Sequence, residues 1–183
     1  PEEPALYART LIAAGYFESI VLSSEDFKRA DFYQDNAKRV QILNQSTDMD
    51  GYLDSLDMHM YITEFNATGR FRICQLINKS NQFNLTTKRY SEIDIKKFEK
   101  DDTFYTRQIR LQDKFGDNGM ISVIICEKDT NFWKINTWLM SCRVLGRGVE
   151  IAALNDIILN AKKSGVSTLI GEYIPTPRNV IVK

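Results

Sequence analysis

The stretch from Gly119 to Tyr173 restricts the fold more than any other part of the chain. Met120–Cys126 is a nearly continuous apolar run, which predicts a central strand. Asp129-Thr130-Asn131 predicts a turn, and Phe132–Met140 a second strand. Gly146 and Gly148 then open a helix whose apolar positions are Val149, Ile151, Ala152, Leu154, Ile157, Ile158 and Ala161. Gly165 suits the residue just past its end, and Thr168–Tyr173 predicts a further strand. A strand, a helix and another strand in this order predict a crossover onto one sheet.

The remainder fits around that unit. Pro4 suits a first helical turn and Gly15 its end. Ser23 is placed to cap a second helix with Asp26 three residues on, and Phe27, Ala30, Tyr33, Ala37, Val40 and Leu43 recur at helical spacing. The polar run Asn44–Asp50, followed by Gly51, is the best linker candidate. Met58, Met60 and Ile62 alternate as in a strand. Arg70–Asn78 and Ser91–Lys100 predict short helices, the second with Ile93 and Phe98 inward. Tyr105–Leu111 alternates as a strand, and Lys114–Gly119 is a hairpin turn because Asn118-Gly119 tolerates positive φ. The order predicts an α+β fold: strand, two helices, three antiparallel strands, helix, strand. Trp133 and Trp138, five residues apart, are expected on opposite faces of their strand, one in the core and one walling a channel.

Composition narrows the function classes. The chain has 183 residues, 43% of them hydrophobic and 26% charged, enough for one domain or one domain plus a piece of another. Lys+Arg and Asp+Glu are both 24, which argues against a general nucleic-acid or membrane-surface binder. No run approaches the ~20 apolar residues of a membrane span, and the acidic start Pro1-Glu2-Glu3-Pro4 is not a signal peptide. Cys74, Cys126 and Cys142 form no C-x-x-C pair and His59 is the one histidine, so no zinc site is expected. An odd cysteine count fits a reducing compartment, and the cytoplasm is the expected location.

The chemistry is concentrated in Arg143-Val-Leu-Gly146-Arg147-Gly148. A helix start has unpaired N–H groups and a partial positive charge, so it attracts phosphate. Glycines let the backbone come close, and two arginines add charge. Glu150, in the first turn, opposes a bound phosphate. The pattern Arg-x-x-Gly-x-Gly between a strand and an amphipathic helix resembles the GNAT acyltransferase fold, whose equivalent loop holds the pyrophosphate of coenzyme A. In that fold the strands before the loop and after the helix splay, and the pantetheine arm lies in the gap. Here those strands are Phe132–Met140 and Thr168–Tyr173.

A longer resemblance covers nearly the whole chain. Gln75-Leu-Ile-Asn78-Lys79-Ser-Asn81-Gln82-Phe83-Asn84-Leu-Thr86-Thr87 is similar to a signature of FkbH-like proteins. So are Lys114-Phe-Gly-Asp117-Asn-Gly119, Trp138-Leu-Met-Ser-Cys142-Arg-Val-Leu-Gly-Arg147 and Gly171-Glu172-Tyr173-Ile-Pro175-Thr176. Pro4–Leu11 and Phe32–Asn36 fit the segment joining that family's two modules. The family pairs a HAD-type phosphatase domain with a GNAT-like domain. It resembles enzymes that load a glyceryl group onto the phosphopantetheine thiol of an acyl carrier protein. The resemblance therefore implies that 1–50 is a helical tail of a HAD-like domain or connector and 51–183 a GNAT-like domain, truncated at its C-terminal end. Phosphopantetheine or coenzyme A is the implied cofactor. An acyl carrier protein and a HAD-like domain are the implied partners. The phosphatase motif Asp-x-Asp-x-Thr/Val is absent from this sequence.

Individual residues follow from both readings. Arg143, Gly146, Arg147 and Gly148 are the cofactor-binding candidates. Cys142, beside the loop, is a candidate nucleophile, and Glu172, at a strand end by the expected gap, a candidate base. Asn78, Lys79, Asn81, Gln82 and Asn84 are substrate-binding candidates, because amide side chains can match pantetheine amides or a glyceryl hydroxyl. The alternatives are capping roles for the amides, a core role for the cysteine and a docking function without catalysis for the whole domain. Asp117 reads as a turn residue, His59 as a strand histidine, and Cys74 and Cys126 as core.

Overall fold

The computed structural model describes residues 3–13 and 29–182, which form two compact units, 1–34 and 35–183. The expected end of the first helix at Gly15 and the expected cap at Ser23 and Asp26 lie outside the described residues. In the first unit a 3-10 turn at Pro4–Leu6 leads into α1 (Tyr7–Ala13), with Pro4 at the start as expected. Helix α2 (Arg29–Gln45) crosses the division. Only Ser46–Asp48 separates it from α3 (Met49–Ser55), which Asp48 caps through the Gly51 amide at 2.7 Å. Gly51 therefore sits in a helix instead of ending a linker.

The second unit is built on one sheet in the order β1 (His59–Thr63), β2 (Phe104–Asp113), β3 (Gly116–Lys128), β4 (Phe132–Met140), β5 (Thr168–Gly171). The first four run antiparallel in sequence order, and β5 lies parallel to β4. The α+β class with a mixed sheet and flanking helices is the observed one. Helices α4 (Arg70–Lys79) and α5 (Glu92–Phe98) cover one face through Ile73, Leu76, Ile77 and Ile95, which pack with Met120, Val123, Ile125 and Leu139. Helix α6 (Val149–Lys163) covers the other. Its Val149, Ala153, Ile157 and Ala161 meet Ile121, Ile124, Cys126, Trp133 and Ile135.

Three residues expected inward from the sequence face outward. Ile93 is 70% exposed and Ile95 takes its place, because the Ser91–Asp94 capping box fixes where α5 begins and hence its buried face. On α6 the buried stripe runs at four-residue steps, so Ile151 and Leu154 are exposed.

Bulges account for the other departures. The hairpin closes at Lys114-Phe115, between paired Asp113 and Gly116. Asn118-Gly119 is not the turn. Arg110 pairs with Met120 and Gln112 with Asp117, so β3 carries an extra residue there, with Gly119 at φ +70°. On β4, Ile125 pairs with Thr137 but Cys126 with Ile135, leaving Asn136 as the extra residue. One inserted residue reverses side-chain parity. Trp133 and Trp138 consequently pack against the same core, on the α6 face, where opposite faces were expected.

Candidate active site: the loop after β4 and the β4–β5 gap

Strand β4 delivers the chain into the loop. The Ser141 amide donates to Ile121 O at 2.7 Å, and the Ser141 hydroxyl accepts from Arg143 Nε at 3.1 Å. Cys142–Val144 make one 3-10 turn, anchored by fully buried Val144. Gly146 and Gly148 both stand at φ +71°, where a β-carbon would have open space around it. Glycine is needed at these two positions for the left-handed backbone and not for close packing. Gly148 is the N-cap of α6 and offers no side-chain cap, so the first-turn amides are left to another partner. Glu150 lies beside them, and its Oε2 is buried without a hydrogen-bond partner.

The loop's two arginines are used differently. Arg147 is turned inward and 7% exposed, and donates to Asp113 Oδ2 at 3.1 Å. Asp113 also accepts two bonds from Arg39, each 2.8 Å, and others from Asn118 and the Phe115 amide. Burial pushes the Asp113 carboxyl up, but these donors prevail and hold it below the ordinary carboxylate range. Arg147 was expected to face a phosphate; its guanidinium is committed to this buried cluster. Arg143, half-buried, is the loop arginine nearer the surface.

The gap forms where a bulge dictates it. Parallel pairing runs from Phe132↔Thr168 to Ile135↔Gly171 and stops at the Asn136 bulge, as β5 ends. Past that point the freed β4 edge is filled by the chain itself. Leu85 N donates to Trp138 O at 3.1 Å, and Met140 N to Phe83 O at 2.9 Å, with Asn84 bridged to Leu139. Thr86 Oγ1 donates to Asn136 O at 3.1 Å. On the far side Ile174 N donates to Leu85 O at 2.9 Å. The open channel implied by the family resemblance is thus occupied by residues 83–86.

Other candidate residues divide accordingly. Asn84, fully buried, accepts from the Thr86 and Thr87 amides and donates to Ser80 O. Asn78 donates to Cys74 O and Tyr90 O, each at 2.9 Å. Asn81 accepts from Arg89. Lys79 and Gln82 are exposed. The amides are brought together, with three of them spent on protein groups. Glu172 accepts from Lys88 Nζ at 2.8 Å and Lys134 Nζ at 3.2 Å. The Lys88 bond, then the Lys134 bond, hold its carboxyl below the usual range, which weakens it as a base. His59 is exposed, 3.5 Å from Asp57, and Asp117 pairs with Arg110 at 2.7 Å. Among the described residues no group of three or more His, Cys, Asp or Glu could hold a metal, and no helix is long and apolar enough to cross a membrane.

Asp113, Lys88 and Lys134 were not singled out from sequence. Asp113 had a signal: it continues the alternation of Ile109 and Leu111, which places a carboxylate inward. Lys88 and Lys134 had none, since their partner Glu172 is far along the chain.

The thiols give a direct check. Cys142 is exposed, Cys74 is half-buried against Tyr90 O, and Cys126 is fully buried, where burial pushes its thiol up to about 12. With a chromogenic disulfide reagent at pH 8, Cys142 is expected to react at once and Cys126 only with unfolding. Peptide mapping of the first thiol modified checks the order.

No family model matches this chain, and no curated protein matches its sequence. Solved structures match at low identity. The ribosomal-protein-S18-alanine N-acetyltransferase from Escherichia coli is 15% identical, over 61% of this chain and 64% of that one, with a TM-score of 0.46. The match thus spans less than two thirds of that protein's length. A ribosomal-protein-alanine N-acetyltransferase from Brucella melitensis is 11% identical over 65% and 83%, with a TM-score of 0.49. A GNAT family acetyltransferase from Staphylococcus aureus is 16% identical over 66% and 90%, with a TM-score of 0.46.

Proposed function

We propose that residues 51–183 are an acyltransferase domain that binds a phosphopantetheine arm, of coenzyme A or an acyl carrier protein, in transfer of an acyl group to or from its thiol. The observation that supports this most is the double left-handed glycine loop. It joins the strand at the gap to a helix start with no side-chain cap. Such a start, with Arg143 beside it, fits the phosphate end of the group. The thioester would supply an activated carbonyl. Cys142, exposed at the loop, is the thiol available to take the acyl group. Arg143 would bind phosphate, while Arg147 holds the loop in place through Asp113.

The finer reading rests on the motif resemblance. In it the domain belongs to an FkbH-like protein of the cytoplasm, the acyl group is glyceryl, the partner is an acyl carrier protein, and residues 1–50 lead from a HAD-like domain. A second reading, a non-catalytic carrier-docking module, is favoured by the pairing of Glu172 with two lysines.

Calorimetric titration with holo and apo carrier protein, and with coenzyme A, separates these. Tighter binding of the holo form, weakened about tenfold or more in Arg143→Ala, supports the thioester reading; a charge-assisted bond contributes about 1.5–3 kcal/mol. Equal binding of both carrier forms, with none of coenzyme A, supports docking.

A further inference from the structure

We infer that residues 83–88 are a hinged gate, which occupies the β4 edge in the described state and must leave it before an extended, amide-bearing arm can pair there. This rests on the proposed thioester function for the identity of the arm; the opening itself does not.

Four observations carry it. First, the backbone groups that an incoming polyamide would use on β4 are Asn136 O, Trp138 O and Met140 N. All three are bonded to the segment, through Thr86 Oγ1, Leu85 N and Phe83 O. Second, the side chains this segment buries most deeply are polar. Asn84 is 0% and Thr86 3% exposed, whereas Phe83 and Leu85 are only half-buried. A permanent inner strand would be held by apolar burial. These groups can instead trade their partners for water. Third, Asn84 Oδ1 accepts from the Thr86 and Thr87 amides, so the turn carries its own bonds and can move as one piece. Fourth, the segment ends at a strained residue and a surface clasp. Thr87 stands at φ +52°, which is unfavourable for a β-branched side chain. Next to it Lys88 bonds Glu172 at 2.8 Å and also Asn136 Oδ1. Side chains of the clasp are about a third exposed, so it is an ion pair of modest strength that salt weakens. On the outer side, Asn179 Nδ2 donates to Asn84 O at 3.0 Å and Ile174 N to Leu85 O at 2.9 Å, and both bonds also break on opening.

Glu172 acquires a role from this arrangement. It pins the gate through Lys88, and it is a positioning residue instead of a base.

Amide hydrogen exchange followed by NMR on the 183-residue chain tests the gate without any ligand. The Leu85 amide is expected to exchange at least tenfold faster than that of Ile124 in the centre of β3. Lys88→Ala, and separately Glu172→Gln, are expected to speed Leu85 a further two- to fivefold, about the strength of an exposed ion pair. Leu85 exchanging as slowly as Ile124, unmoved by both substitutions, would make the segment a fixed strand and overturn the proposal. Coenzyme A is then added as the probe. Loss of protection at Leu85, with Met140 still protected, supports displacement by the arm. Binding with Leu85 protection unchanged overturns the gate but leaves the thioester function standing. Fast opening without binding, even in Lys88→Ala, supports the gate and overturns the thioester function.

Discussion

Asp113→Ala is expected to destabilise the protein by about 3–5 kcal/mol, read as a lowered urea midpoint with an unchanged slope. The side chains of Arg39, Asp113 and Arg147 are 4%, 0% and 5% exposed. Removing the carboxylate leaves two guanidinium groups facing one another with little water to screen them. The surface pair of Arg110 and Asp117 is a sharp control. Its 2.7 Å separation is shorter than any in the buried cluster, yet its side chains are 53% and 48% exposed. Asp117→Ala is therefore expected to cost no more than about 1 kcal/mol through the ion pair. Acid gives the same information by another route. The folded carboxyl titrates below its ordinary value, so Asp113 contributes fully above about pH 4, where the unfolded carboxyl is ionised. That contribution is lost as pH falls through the folded value, and Asp113→Ala should flatten this part of the acid transition. Function follows from stability here. Arg147 sits between the two left-handed glycines, so releasing it from Asp113 frees the loop proposed to hold phosphate.

The elements other than α3, which lies across the expected linker, were legible because each is written in local periodicity. β4 matched its expected span from Phe132 to Met140, and α6 begins after Gly148 and ends before Gly165 as the glycines indicate. The loop was legible for the same reason. What sequence could not give is pairing across distance. Nothing local tells that Arg147 meets Asp113, or that Lys88 meets Glu172. The filled gap was hidden more deeply. Residues 83–86 alternate apolar and polar over only four positions, too few to mark a strand, and one bridge at Asn84 and side-chain bonds hold them in place of a regular ladder. The bulges were invisible too, and their effect was larger than a single residue. Asn136 moved Trp138 to the α6 face and ended the β4–β5 pairing, which creates the gap in the first place.

Helix α6 carries the second large effect. Ile157→Ala is expected to cost about 2–5 kcal/mol, and Ile151→Ala within about 0.5 kcal/mol. Periodicity alone placed both residues in the core. The structure separates them: Ile157 is 0% exposed and Ile151 65%. The buried stripe of α6 explains the size of the first effect. Val149, Ala153, Ile157 and Ala161 succeed one another every four residues, and two of the four are alanines. Small residues bring the helix close to β3 and β4, so Ile157 alone supplies a large side chain between them. Truncating it opens a cavity against Ile124 and Trp133 that flanking alanines cannot refill. On the outer face, Ile151, Leu154 and Leu159 are all exposed. Urea denaturation of both variants at two protein concentrations checks the contrast. A cost at Ile151 equal to that at Ile157, growing with concentration, would mean that a second copy covers this face of α6 in solution. A small cost at both positions would mean that α6 packs on the sheet by a different stripe.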